Sequence, residues 1–261
     1  MLKLFNITKT FNPGTITEKK AIRGVDLEIA DGDFITVIGG NGAGKSTLLN
    51  IIAGVHQTNT GSIVLDGLDL TDKPEYKRAK YLGRVFQDPM MGTAANMSIE
   101  ENLAMAMRRG KHRGLSWYIQ PAEKEVYMEK LKLLDLGLEN RLHAKVGLLS
   151  GGQRQALTLL MSTLQKPKLL LLDEHTAALD PKTAKKVLEL TEEFVKRDNL
   201  TAFMVTHNMK DAIRYGNRLI MMMDGKVVYD VSGEEKKNLT VEDLLAKFSV
   251  SGEVSDKLVL N

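Results

Sequence analysis

The stretch Phe34–Thr47, FITVIGGNGAGKST, joins a short apolar segment to a glycine-rich loop and then to the polar start of a further segment. Phe34–Ile38 predicts a buried strand, and Ser46–Ala53 predicts a helix. The loop between them matches the pattern GxxxxGK[ST]. Glycines let successive backbone N–H groups turn inward around a phosphate without obstruction by side chains. The stretch therefore predicts a strand–loop–helix unit that holds the phosphates of a nucleoside triphosphate.

Each part of this loop has an expected task. The helix N-terminus carries partial positive charge, which favours an anion. Lys45 is expected to reach the β- and γ-phosphate oxygens, and the Ser46 hydroxyl to ligate Mg²⁺. A glycine-rich turn without a ligand is the alternative, and the flanking strand and helix disfavour it. The predicted nucleotide-binding residues of the loop are Gly39, Asn41, Gly42, Ala43, Gly44, Lys45, Ser46 and Thr47.

Outward from the loop, alternating apolar residues and short apolar runs predict further strands. They are Leu2–Ile7, Ala21–Ile29, Ser62–Leu65, Tyr81–Phe86, Lys168–Leu172, Ala202–Val205, Leu219–Met223 and Lys226–Tyr229. We expect Ser62–Leu65 and Tyr81–Phe86 to form a strand pair, and the last two strands to form a hairpin. The region of about 88–164 is predicted to be helical. Strands that alternate with helices predict an α/β fold with a mainly parallel sheet and a helical insertion.

Composition excludes several classes of protein. The chain has 261 residues, a formal net charge of +3 and no cysteine. Disulfides and thiolate chemistry are therefore excluded, and so small a charge gives no reason to expect a nucleic-acid partner. The N-terminus does not resemble a signal peptide, and no apolar run approaches the ~20 residues that cross a bilayer. Thirteen methionines favour gap-filling in the core over an adaptable binding surface.

A second motif, Leu149-Ser150-Gly151-Gly152-Gln153, precedes another predicted helix. Ser150 and Gln153 alone would form a capping box, which starts a helix in any protein. Capping does not require the two glycines, which leave the helix N-terminus bare for a phosphate. Because one loop of this chain already holds phosphates, the second bare end is best explained as serving a nucleotide held by another copy.

With both motifs present in this order, residues 1–235 resemble the ATP-binding cassette (ABC) ATPases. The resemblance implies a P-loop NTPase (RecA-like) fold: a mainly parallel sheet core, an N-terminal antiparallel β subdomain and a helical signature subdomain at about 88–164. A short C-terminal tail, 236–261, would follow. The resemblance also implies a head-to-tail homodimer in which the motif Leu149–Gln153 of each copy, called the signature motif, covers the ATP of its partner.

The resemblance assigns roles to six further residues. Asp173, at the end of the apolar run Leu169–Leu172, would support Mg²⁺, and Glu174 would act as the general base toward water. Gln87 would contact Mg²⁺ or water, and His207 would contact the γ-phosphate. Asp180, in Ala178-Leu179-Asp180, would form the D-loop, and Phe11 would stack on adenine, although a core role for Phe11 stays open. Two positions depart from the family pattern without removing a phosphate, Mg²⁺ or water contact: Gly40 and His175.

The segments Asp88–Leu103 and Asp173–Asp180 are similar to those of ATPases that serve permeases of the branched-chain amino-acid type, in particular tryptophan or tyrosine uptake systems. The resemblance implies a peripheral protein at the cytoplasmic face of the cell membrane. Its partners would be integral membrane permease subunits and an extracytoplasmic substrate-binding protein. The alternative within the family is a soluble ABC ATPase of a cytosolic assembly complex. A nucleotide-sensing regulator would need a crippled catalytic set, and no residue of the set is missing.

Two surface features stay open at this stage. Met90, Met91, Thr93, Ala94 and Met97 would line a groove for a cytoplasmic helix of the permease, or would pack the helical insertion. The basic run Arg108–Arg113, with Trp117, would touch lipid head groups or form a solvated loop, and the solvated loop is favoured.

Overall fold

A computed structural model of the protein describes residues 1–111 and 119–250, in which strands and helices alternate along the chain. The strands are β1 (Leu2–Phe11), β2 (Lys19–Ile29), β3 (Phe34–Ile38), β4 (Thr60–Leu65), β5 (Leu68–Asp69), β6 (Leu82–Val85), β7 (Leu169–Asp173), β8 (Ala202–Val205), β9 (Arg218–Met223) and β10 (Lys226–Ser232). The helices are α1 (Lys45–Ala53), α2 (Glu75–Arg78), α3 (Ile99–Met107), α4 (Pro121–Lys132), α5 (Gly151–Thr163), α6 (Pro181–Asp198), α7 (Met209–Arg214), α8 (Gly233–Lys237) and α9 (Val241–Val250).

The chain divides into two compact units. The first contains Met1–Arg78 and the described chain from Leu200 onward, and the second contains Ala79–Asn199. The first unit includes an antiparallel sheet in the order β2-β1-β4-β5. Along β2, buried residues such as Val25, Leu27 and Ile29 alternate with exposed ones, as expected for a strand with one face on the core.

The remaining strands of the first unit form the sheet segment β10-β9-β3-β8, with β3 parallel to both β8 and β9. Every residue of β3 is buried, which is typical of a central parallel strand. β9 and β10 are antiparallel and connected by a turn in which Asp224 and Gly225 both have positive φ. The predicted α/β class, the buried strand Phe34–Ile38 and the closing hairpin are thus confirmed.

One predicted strand pairing is wrong. Ser62–Leu65 and Tyr81–Phe86 do contain strands, but they do not pair with each other: β4 pairs with β1 and β5, and β6 pairs in parallel with β7. Val85 lies opposite Leu172, far away along the chain. Local apolar patterns identify a strand but carry no information on a partner so distant in sequence, because long-range pairing is decided by packing.

Methionines fill the core of the first unit. Met209, Met221 and Met223 are buried against Ile38 and Val231, together with Leu244 and Phe248 from α9. The core role favoured for the methionines is therefore confirmed at these positions. Residues beyond position 235 also contribute buried side chains to this unit.

The second unit contains the predicted helical region as α3, α4 and α5. Ser98 caps α3: its side chain accepts from the Glu101 backbone N–H, and the Glu101 side chain accepts from the Ser98 backbone N–H.

Of the basic run, Arg108 forms an ion pair with Glu123 at 3.2 Å, and residues 112–118, including Trp117, lie outside the described residues. Among the helices described, none combines the length and apolar character needed to cross a membrane.

Candidate nucleotide-binding and hydrolysis site

The phosphate loop in the first unit lies between β3 and α1, as predicted. Lys45 is buried, and its Nζ donates to the carbonyl oxygens of Gly39 and Gly40 at 2.8 and 3.1 Å. These bonds hold the ammonium group across the loop. No side chain caps α1, because its N-cap position is Gly44, and the Ser46 side chain in the first turn is exposed. A helix N-terminus without a side-chain cap favours an anion as the partner of its first backbone N–H groups.

Three glycines of the loop are required for different physical reasons. A Cβ on Gly39 would lie 2.3 Å from the carbonyl oxygen of Met222, so close packing excludes a side chain there. A Cβ on Gly42 would make only an ordinary contact, 3.6 Å from Lys19 Nζ, but Gly42 has a φ of 86°, which L side chains rarely adopt. Gly44 combines a φ of 100° with a Cβ contact of 2.7 Å to the Ala21 carbonyl oxygen. The loop conformation therefore depends on these residues independently of any ligand.

His207 is brought to the same edge of the sheet as the phosphate loop. β3 and β8 are parallel with Val37 opposite Val205, and the Thr206 backbone N–H donates to the Val37 carbonyl oxygen at 3.1 Å. The carboxyl ends of both strands thus lie side by side, with His207 exposed one residue further on. Burial raises the pKa of nearby Asp211, and the positive charges of Arg214 and His207 oppose that increase.

Phe11 lies at the end of β1 and is partly exposed rather than part of the core. Its ring meets the His56 ring edge to face, with centroids 5.2 Å apart, and the Lys9 ammonium group is 5.3 Å from its centroid. Lys19 lies opposite Phe11 in the β1–β2 register, and its Nζ is 3.6 Å from the position that a Gly42 Cβ would occupy. No local pattern indicates a role for Lys19, because only the pairing of β1 with β2 places it near the loop.

In the second unit, Gln87 and the carboxylate pair follow neighbouring parallel strands. β6 and β7 are paired with Val85 opposite Leu172, so Gln87, Asp173 and Glu174 emerge at the same end of the two strands. Glu174 has a φ of 44°, which is uncommon for a residue other than glycine and marks a sharp change of direction after β7. Both carboxylates are partly exposed.

Arg84 is a charged neighbour that sequence reasoning missed. Its Nη2 lies 3.9 Å from Oδ2 of Asp173, and its guanidinium group stacks on the Phe86 ring at 4.4 Å. The parallel pairing of β6 with β7 brings Arg84 to the end of β7. The pairing of these two strands thus places a positive charge beside one of the two carboxylates.

The signature motif begins α5 with the predicted capping box. The Ser150 side chain accepts from the Gln153 backbone N–H, and the Gln153 side chain accepts from the Ser150 backbone N–H, both at 3.2 Å. Leu149 is buried and Gly151 is exposed. A Cβ on Gly152 would lie 2.0 Å from Thr183 Cγ2, whereas a Cβ on Gly151 would meet only Leu179 Cδ2 at 3.6 Å. Packing therefore explains the glycine at 152 and does not explain the glycine at 151.

The predicted D-loop residue, Asp180, caps α6. Its Oδ1 accepts from the Thr183 backbone N–H at 3.1 Å, and the hydrogen bonds from Thr183 lower the pKa of Asp180. The neighbouring Leu179 packs beside Gly151, since its Cδ2 would lie 3.6 Å from a Cβ on that glycine. The fold of the second unit thus joins the signature motif and the D-loop.

His175, the residue after the proposed base, is buried with only 2% of its surface exposed. Its Nε2 is 3.1 Å from Thr191 Oγ1, and that hydroxyl donates to the Val187 carbonyl oxygen at 2.8 Å. The Thr191 hydroxyl oxygen can therefore accept a hydrogen bond from Nε2–H, which suits a neutral imidazole. Burial lowers the pKa of His175 to about 4.

We expect this histidine to make the protein less stable in mild acid. In the unfolded chain His175 binds a proton near pH 6.5, and in the folded chain only near pH 4. The neutral, buried imidazole therefore contributes fully to stability above pH 6.5, and the free energy of unfolding falls as the pH drops toward 4. The free energy of unfolding should be lower by about 2 kcal/mol at pH 5 than at pH 7. Urea unfolding at both pH values measures it. A His175→Gln variant should show a smaller loss, and an equal loss in both proteins would contradict the assignment to His175.

A phosphate loop after one buried parallel strand and a carboxylate pair after another define a phosphate-loop nucleoside triphosphatase. Residues 22–177 match the protein-family model described as ABC transporter. Over 253 residues the chain is 48% identical to the tyrosine transport ATP-binding protein of Clostridioides difficile (strain R20291), a match that covers 95% of this chain and 98% of that protein. The chain therefore belongs to the ABC transporter family, whose members hydrolyse ATP to drive transport.

Two further similarities agree with this assignment. The chain is 33% identical over 255 residues to the spermidine/putrescine import ATP-binding protein PotA of Aggregatibacter actinomycetemcomitans, spanning 96% of this chain and 64% of that protein. A solved dimeric ATP-binding cassette in a post-hydrolysis state, bound to ADP and Pi, is similar with a TM-score of 0.75 at 31% identity, covering 89% of this chain and 98% of that chain. The predicted family, fold class and ATPase activity are confirmed.

Proposed function

We propose that this ATPase drives import of an amino acid, with aromatic amino acids as the substrate class, through a separate membrane permease. The observation that carries the proposal is the 48% identity to a tyrosine transport ATP-binding protein, which extends over almost the whole of both chains. The import function named for the spermidine/putrescine relative supports the direction of transport.

At the site, the phosphate loop would bind ATP through its backbone N–H groups and Lys45. Glu174 would accept a proton from the attacking water, and His207 would contact the γ-phosphate. Phe11, held by His56 and Lys9, would stack on adenine.

Ser46, Gln87 and Asp173 offer a hydroxyl, an amide and a carboxylate oxygen, which are the hard donors that Mg²⁺ prefers. When bound, Mg²⁺ would neutralise charge on the phosphates. Three protein oxygens would leave coordination positions for phosphate and water, as is usual for this ion.

We propose a head-to-tail homodimer in which Ser150, Gly151, Gly152 and Gln153 of one copy cover the ATP of the other. The support is the exposed N-terminal end of α5 at Gly151, a glycine that packing does not require. A helix N-terminus with accessible N–H groups attracts phosphate oxygens.

The permease would dock on the segment after Gln87. Met90 and Met91 are 44% and 68% exposed, whereas Thr93, Ala94 and Met97 are partly buried. Flexible, exposed methionines suit an amphipathic helix as partner.

In this proposal residues 1–235 form the ATPase domain and 236–261 its tail. The protein is peripheral at the cytoplasmic face of the membrane, and an extracytoplasmic protein delivers the substrate to the permease.

Deletion of the gene tests the proposed substrate class. Uptake of radiolabelled tyrosine and tryptophan should fall at least several-fold, because the permease would lose its energy source, while lysine uptake should be unchanged. A plasmid copy should restore uptake, and a Glu174→Gln copy should not.

Purification of the tagged protein from its own cells tests the permease partner. It should be recovered from detergent-solubilised membranes together with a multi-span permease. Recovery only from the soluble fraction, in a complex without a membrane protein, would instead identify a cytosolic assembly ATPase and overturn the proposal.

A further inference from the structure

Helix α5, which begins at the signature motif, is attached to the Gln87 segment, defined here as residues 86–92. Three side chains of α5 contact this segment. Gln155 Nε2 donates to the Phe86 carbonyl oxygen at 3.0 Å, and the Arg154 guanidinium group lies against the Met90 sulfur. Thr158 packs so closely on Gly92 that a Cβ there would lie 2.4 Å from Thr158 Cγ2.

The contacts continue from the Gln87 segment to the signature motif. The same Arg154 guanidinium group donates to the carbonyl oxygens of Gly147 and Leu149 at 3.0 Å each. Arg154 therefore connects Met90 with the loop that leads into Ser150. No nucleotide is needed for this connection, since all of its atoms belong to the second unit.

Gln155 is the unusual member of this set. Its side chain is fully buried, with 0% of its surface exposed. Among the described residues no hydrogen-bond donor reaches its Oε1, so one end of the amide is paired and the other is not. A buried acceptor without a donor is destabilising, and a methionine of similar length would fill the same space without that cost. Packing alone therefore does not explain a glutamine at this position.

We propose that Gln155 is a positioning residue that makes the signature end of α5 follow the Gln87 segment. The bond to Phe86 fixes the backbone immediately before Gln87, and a displacement of that segment is passed to α5 and so to Ser150 and Gly151. Gln155 contacts neither ATP nor water in this role. The inference rests on the proposed function, in which Gln87 and the signature motif act on two different ATP molecules.

The test compares Gln155→Met with Ser162→Ala. Ser162 is also buried on α5, but its Oγ donates only to the Leu159 carbonyl oxygen of the same helix, so its loss leaves the Gln87 segment untouched. We expect Gln155→Met to lower kcat for ATP hydrolysis by between about 3- and 30-fold with KM within twofold. Hydrogen exchange of the amides in residues 86–92 should accelerate. Ser162→Ala should change neither quantity.

Two outcomes would overturn the proposal. One is a Gln155→Met protein with a lower melting temperature but with wild-type kcat and wild-type exchange in residues 86–92, which would leave Gln155 a purely structural role. The other is faster exchange without any change in kcat, which would mean that the attachment does not serve hydrolysis. The exchange measurement requires no turnover, so a failure of the proposed catalytic site itself, seen as normal hydrolysis by Glu174→Gln, is distinguishable from both.

Discussion

Replacing Glu174 with glutamine should reduce ATP hydrolysis by about 10²- to 10⁴-fold while ATP binding stays within twofold of the wild-type value. The amide has the shape of the carboxylate but cannot accept a proton from water. Glu174 follows β7 with a φ of 44°, and glutamine faces the same backbone cost as glutamate, so folding should be unaffected. Phosphate release measures hydrolysis, and calorimetric titration measures binding.

The same variant should accumulate as an ATP-dependent dimer on a sizing column, because ATP that is not hydrolysed would keep the two copies together. Glu189→Gln is the matched control. Glu189 lies on α6, is exposed and faces Lys185, so this substitution makes the same change of charge on the surface. The control should hydrolyse ATP at the wild-type rate. Normal hydrolysis by Glu174→Gln would remove Glu174 from the role of base.

Gly151→Asp should abolish hydrolysis, by at least about 100-fold, and leave ATP binding to the monomer intact. A Cβ at this position makes only an ordinary contact, and an aspartate in the first turn of a helix is favourable for folding. Its negative charge would lie where the partner's phosphates are proposed to approach, and like charges there cost far more than surface charges in water. Steady-state hydrolysis and ATP titration on the same protein measure the two effects.

Ala122→Asp is the control for Gly151→Asp. Ala122 is an exposed residue in the first turn of α4, in the same unit, so it receives the same charge in a similar place without facing a partner. Hydrolysis should stay normal. Equal loss of ATP binding and of hydrolysis in Gly151→Asp would indicate misfolding, and it would contradict the proposal that Gly151 faces the ATP of the partner copy.

The other residues of the motif are less decisive. Ser150→Ala should also abolish hydrolysis with ATP binding largely spared, but it removes the α5 cap at a cost of about 1 kcal/mol, and any side chain at Gly152 collides with Thr183.

The phosphate loop, the position of Asp173 and Glu174 after a strand and the capping box at Ser150 could be predicted because each is a local pattern. Ser98 and Ser150 cap helices through residues three positions away, and Lys45 closes on carbonyls of its own loop. Such interactions lie within a few residues, so composition and spacing determine them. The sequence also limited the chemistry, since a chain without cysteine has no thiolate site.

Only the tertiary structure decided which distant residues meet. Arg84 lies near Asp173, and Lys19 near Gly42, because particular strands pair, and no local pattern specifies those pairs. The same holds for the two glycines of the signature motif. Packing against Thr183 excludes a side chain at Gly152, whereas packing does not exclude one at Gly151. Packing of segments remote along the chain sets these contacts, whereas propensity and capping act over a single turn.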